Sequence, residues 1–231
     1  NNVNPRHIAS IVEHGLCRPV GRMKLGRDGM LYSGWQAEYG RYGGAFVRLD
    51  PNTEKITVWS DPLGPEAIAA FALDDKYAYL GSNHSANGLP TKDGDGSFGV
   101  FDLVADEMVY RVKMDGDPSV RPMGTFIGAD GHRLVIVPLG DSARVFDADE
   151  MEFRDPLDVP TPESPGDGED MLNTPDGGLL YIRKNWLVKI TPELTVEHFG
   201  PLPWNVEHMT YGSDDLLYVC SGPTLYRVDG V

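Results

Sequence analysis

A small set of potentially reactive side chains falls in the loops between apolar stretches. His84 stands in Ser82-Asn83-His84-Ser85, at the mouth of the longest polar loop, Asn83–Gly96. A histidine there can act as a general base near neutral pH, with Tyr39 or Tyr42 as the acid. Arg18 and Arg121 each precede a proline in the same register two repeats apart. Two guanidinium forks so placed suit a carboxylate or sulfate held bidentately. His, Tyr and Arg together suit a lyase. The base removes the proton beside a uronate carboxylate, the arginine neutralises that carboxylate, and the tyrosine protonates the departing oxygen. Each group also has a plainer reading. His84 can be a solvated loop residue, and each arginine can pair with Glu66, Asp170 or Glu207.

Trp35, Tyr39, Tyr42 and Trp204 offer a stacking platform for sugar rings, whose C–H faces pack on aromatics. Trp35 can equally pack between repeats. Gln36, Arg41, Asn83, Asn87 and His208 complete the polar set expected on one loop face, where a carbohydrate or small-molecule ligand would sit. Lys92-Asp93-Gly94-Asp95-Gly96 has the look of a calcium loop, but the twelfth position counted from Asp93 is Val104, so the EF-hand spacing fails. We expect no metal site, and the residues specify no cofactor. No phosphate-binding loop, dinucleotide fingerprint or nucleophile elbow occurs.

The elements that must position these groups follow from a repeat. Gly29–Trp35, Ala45–Asp50 and Ile56–Trp59 read as three strands separated by turn chemistry such as Asp50-Pro51-Asn52-Thr53. Tyr77–Ser82 and Phe98–Asp102 repeat the first two of these. The phrase returns about every forty residues, which is the signature of a β-propeller of four-stranded antiparallel blades. The repeats span 16–60, 67–114, 121–160, 170–200 and 206–231 of a single domain, 1–231. A generic β-sandwich is the rival reading. The last repeat lacks an outer strand, and His7–Val12 reads as an orphan outer strand. Two arrangements accommodate this: a closed five-bladed ring, or a fragment of a larger propeller. The missing initiator Met favours the fragment. The first strand of each repeat, such as Ile68–Leu73 and Met123–Ile127, is expected to be the most buried.

Composition narrows the partners. The formal net charge of −15 opposes binding to nucleic acid or to anionic membranes. No apolar run is long enough to span a bilayer. With 27 Gly and 18 Pro spread along the chain, many turns are expected. Cys17 and Cys220 permit one disulfide only if the ends lie close.

Asn4-Pro5-Arg6-His7-Ile8, Gly15, Arg18-Pro19, Tyr39-Gly40-Arg41-Tyr42-Gly43-Gly44-Ala45, Gly81-Ser82 and Asn87-Gly88-Leu89 form a pattern that resembles large secreted bacterial proteins with PQQ-like or seven-bladed propeller regions, often beside carbohydrate-active modules. The resemblance implies an extracellular or periplasmic location and a seven-bladed parent, of which this chain holds the last five blades. The function expected is a ligand- or glycan-binding module. The alternatives are a lyase acting on uronate-containing glycans and a protein-interaction scaffold.

Overall fold

The computed structural model describes residues 7–121, 124–139, 142–159, 169–183, 186–202 and 206–230. The chain divides into two compact units, Asn1–Arg121 and Pro122–Val231.

The first unit holds two four-stranded antiparallel sheets. One is β1 (Leu16–Leu25), β2 (Leu31–Ala37), β3 (Gly44–Leu49) and β4 (Ile56–Ser60). The other is β5 (Ala67–Leu73), β6 (Tyr77–Asn83), β7 (Ser97–Asp102) and β8 (Glu107–Lys113). In the second unit, β9 (Gly124–Ile127), β10 (Arg133–Leu139) and β11 (Ser142–Asp147) share a sheet with two short outer pieces, β12 (Glu152–Phe153) and β13 (Leu157–Asp158). The next sheet is β14 (Glu169–Asn173), β15 (Leu179–Arg183), β16 (Trp186–Ile190) and β17 (Val196–Pro201). The last is β18 (His208–Tyr211), β19 (Leu217–Ser221) and β20 (Thr224–Val228). Each sheet is a meander in sequence order, so each is a blade, and the fold is that of a β-propeller with five blades in this chain.

Local chemistry sets the hairpins. In the turn before the second strand of four of the blades an aspartate caps its own backbone: Asp28 accepts from Met30 N, Asp74 from Lys76 N, Asp130 from His132 N and Asp214 from Leu216 N. The other carboxylate oxygen takes a tyrosine hydroxyl from the second strand in three blades: Tyr32 at 2.7 Å, Tyr79 at 2.5 Å and Tyr218 at 2.9 Å. A second aspartate closes the turn after the third strand, where Asp50, Asp102 and Asp147 accept two backbone N–H groups each.

Between the first two blades lies an aromatic core. Phe46 stacks on Tyr32 at 5.5 Å and meets Trp59, Phe71 and Phe101 at 5.5 to 5.8 Å. Gly34 lets the second blade approach, since a Cβ there would lie 2.7 Å from Ile68 Cγ2. Arg48 staples the same junction, bidentate to Asp106 and over the Trp59 ring.

Three expectations need correction. His7–Ile11 is not a strand, and Val12–His14 forms one 3-10 turn closed by Gly15 at φ 69°. A strand needs a ladder partner, and among the described residues this stretch has none; the Gly15 carbonyl instead accepts Glu38 N. The repeat expected over 121–160 as a four-stranded blade has its outer strand in two pieces, with β12 and β13 pairing opposite ends of β11. Burial does not follow the first strands. β5 is buried along most of its length, but β1 exposes Cys17, Arg18, Pro19, Met23 and Leu25. The second and third strands, flanked on both edges, carry most of the core residues. Both cysteines are free. Pro122, Met123 and Trp204 lie outside the described residues.

Candidate functional site

The ends of the second blade's strands bring one group of polar side chains together. Glu66 precedes β5, His84 follows β6, Ser97 opens β7, and Arg111 and Lys113 end β8. With Lys92 and Asp93 from the long loop and Leu63–Pro65 from the blade connection, they line an open pocket of about 550 Å³.

Glu66 is the buried anchor, 4% exposed. Ser82 Oγ donates to one carboxylate oxygen and the Lys113 ammonium reaches the other. Ser82 Oγ in turn accepts Ser97 N at 2.7 Å, and Lys113 also donates to the Asp95 carbonyl at 2.9 Å. Burial by itself pushes the Glu66 carboxyl up, but hydrogen bonds from Lys113, Ser82 and Ser97 outweigh it and hold it below the ordinary carboxylate range. Lys113 is thereby committed. Lys92 and Arg111 have no carboxylate partner among the described residues. Lys92 Nζ lies 3.6 Å above the Tyr42 ring.

His84 Nε2 lies 2.9 Å from the Asp95 carbonyl oxygen. A carbonyl only accepts, so Nε2 carries the proton and Nδ1 is the basic nitrogen of the neutral ring.

The loop of the first blade docks on the long loop beside this pocket. Tyr42 donates its hydroxyl to Pro90 O at 2.8 Å, and Gly40 N donates to Asn87 O at 2.9 Å. Tyr39 is 74% exposed and covers Gly88, where a Cβ would lie 2.2 Å from the ring. Arg41 pairs with Glu38 at 3.2 Å. Asn87 Nδ2 donates to Cys17 Sγ at 3.6 Å, and Asn83 Oδ1 accepts Ser85 N and Oγ.

Of the residues singled out in the sequence, His84 lines the pocket and Tyr42 touches it through Lys92. Tyr39, Asn87 and Arg41 belong to the adjoining loops. Trp35 is half-buried, donates to Ser33 Oγ at 2.8 Å and packs on Leu16, Ala45 and Val47. Arg18 is exposed on β1 opposite Gln36. Arg121 Nε donates to Ser119 Oγ at 3.0 Å, so among the described residues it pairs with a hydroxyl and not a carboxylate. His208 opens β18 in the other unit. Arg111 and Lys113 were missed, although the alternation in Glu107–Lys113 puts both on one exposed face at the loop end.

A second titratable cluster lies in the third blade. His132, Asp147 and Asp149 present ligand-type atoms within 4.8 Å of one another. These groups are already engaged. Arg154 pairs with Asp147 at 2.6 Å and Asp130 at 2.7 Å, Arg133 with Asp149 at 2.9 Å, and His132 Nδ1 with Asp147 at 2.8 Å. The hydrogen bond to Asp147 raises the His132 pKa. The cluster fastens the turns on either side of β10 and β11.

Two solved structures share the fold. "Streptogramin B lyase structure" superposes with TM-score 0.64 at 17% identity, covering 91% of this chain and 65% of that one. "Structure of Dos1 propeller" also gives 0.64, at 13% identity, covering 93% of this chain and 55% of that one. The chain is a β-propeller. It spans less than two thirds of either protein's length. No family profile matches the sequence, and no curated protein matches it either.

Proposed function

We propose that this propeller binds a small, hydroxyl-rich anionic ligand, an acidic sugar of the uronate type, in the pocket at the loop end of the second blade. One observation carries the reading. In a chain with 35 acidic and 20 basic side chains, two cations facing the same pocket, Lys92 and Arg111, are left without a carboxylate partner among the described residues. An unpaired guanidinium and ammonium are the groups that bind a carboxylate most strongly. The exposed Tyr39 ring on the adjoining loop suits a sugar face. This reading agrees with the resemblance to propellers found beside carbohydrate-active modules, and with it a secreted setting.

Calorimetric titration with galacturonate oligosaccharides tests it, with the neutral galactose counterparts as control. The acidic series should bind, and Arg111→Ala together with Lys92→Ala should abolish binding. Equal heats for acidic and neutral sugars would refute the proposal.

His84 supports a second reading on the same pocket, a uronate lyase. Nδ1 takes the proton beside the carboxylate, the electron pair forms the new C=C bond, and the neighbouring C–O bond breaks. The departing oxygen takes a proton from Tyr42, which must first release Pro90 O. Growth of ultraviolet absorbance from the unsaturated product, lost in His84→Ala, separates catalysis from binding.

A further inference from the structure

We propose that Arg18 and Gln36 form a separate carboxylate-binding subsite at the loop end of the first blade. The two residues are direct cross-strand partners on β1 and β2. The register shifts between Leu16 and Arg18, and Arg18 pairs with Gln36 just past that irregularity, where opposed residues of an antiparallel pair share a face. Gln36 is only 6% exposed, yet its amide has no hydrogen-bond partner among the described residues. A buried amide is normally hydrogen-bonded, so one without a protein partner has donors free for a ligand's acceptor. Arg18 is exposed and has no carboxylate partner among the described residues. The nearby acid Glu38 is held by Arg41.

The donor set fixes the ligand class. A guanidinium fork presents two parallel N–H groups to both oxygens of a carboxylate, and the carboxamide NH₂ adds a third donor from the side. Gln36 lies against Gly44, whose Cβ position is 2.1 Å from Trp35 O and 3.3 Å from Ile68 N, so no larger side chain fits beside it. The subsite stands on its own donors whether or not the second-blade pocket takes a uronate.

The test uses the whole ¹⁵N-labelled chain, titrated with sodium acetate and, at matched ionic strength, with sodium chloride. The Gln36 side-chain amide resonances, identified by their loss in Gln36→Met, should shift saturably with acetate and not with chloride. Arg18→Gln, a change at an exposed position, should weaken that response about tenfold or more. Arg111→Ala should leave it intact, which separates this subsite from the second-blade pocket. A shift of equal size in chloride, or one that survives Arg18→Gln undiminished, would overturn the assignment.

Discussion

Asp215 adopts φ 57° in a turn where the first, third and fourth blades carry Gly29, Gly131 and Gly177 at φ 81° to 89°. A side chain in that region costs about 1 kcal/mol relative to glycine. Asp215→Gly should therefore stabilise the protein by about that amount, read as a higher urea midpoint with unchanged slope. Glu66 behaves in the opposite sense. Its folded pKa lies below its unfolded value, so its contribution is present above the ordinary carboxylate pKa and disappears as pH falls through the lower folded value. Glu66→Gln should cost about 2 kcal/mol near neutrality. Equilibrium unfolding in acid should show the gap between wild type and variant closing. His84 was legible as a site residue because a polar run surrounds it. The burial of Glu66 was not legible, because nothing local in the sequence says that a glutamate before a strand will be buried under Ser82 and Lys113.

At the level of strands and turns, the repeat was readable because its punctuation is chemical: an aspartate at most of the turns and an aromatic on the second strand of four blades. What could not be read was whatever depends on neighbours. β14 escaped as a defined strand because Glu169-Asp170-Met171-Leu172-Asn173 has poor strand formers and is held by its register with β15. His7–Val12 has strand-like residues and no ladder to join. The ladder runs on through Arg154, whose backbone N bonds Val145 O, and the break between β12 and β13 falls at Asp155-Pro156, where proline has no N–H to donate. The junction of the first two blades centres on one ring. Phe46→Ala should cost about 3 to 5 kcal/mol, since four aromatic neighbours lose a partner and cannot collapse together. Val104→Ala, at 85% exposure, should stay within about 0.5 kcal/mol of wild type in the same denaturant series.

For the molecule as a whole, the net charge of −15 acts on stability and on binding with opposite signs. Self-repulsion among surface carboxylates weakens as salt screens it, so the melting temperature should rise between low salt and about 0.15 M. The same screening weakens attraction between an anionic ligand and Lys92 and Arg111, so affinity should fall over the same range. Differential scanning fluorimetry and titration on matched buffers would show the divergence.

The aspartates that close the hairpins have a consequence for time. Asp28, Asp74, Asp130 and Asp214 bond backbone groups two residues away, and Asp50, Asp102 and Asp147 do so within three. Such contacts form without waiting for distant chain to arrive, so each hairpin can begin before any blade has met its neighbour, and the slow step is left to the pairing of one finished blade with the next. Loss of a turn aspartate should then register chiefly as a lower refolding rate, and loss of Phe46 chiefly as faster unfolding. A chain built this way keeps its early, error-prone choices short-range, and commits its long-range ones only after each blade has settled its own register.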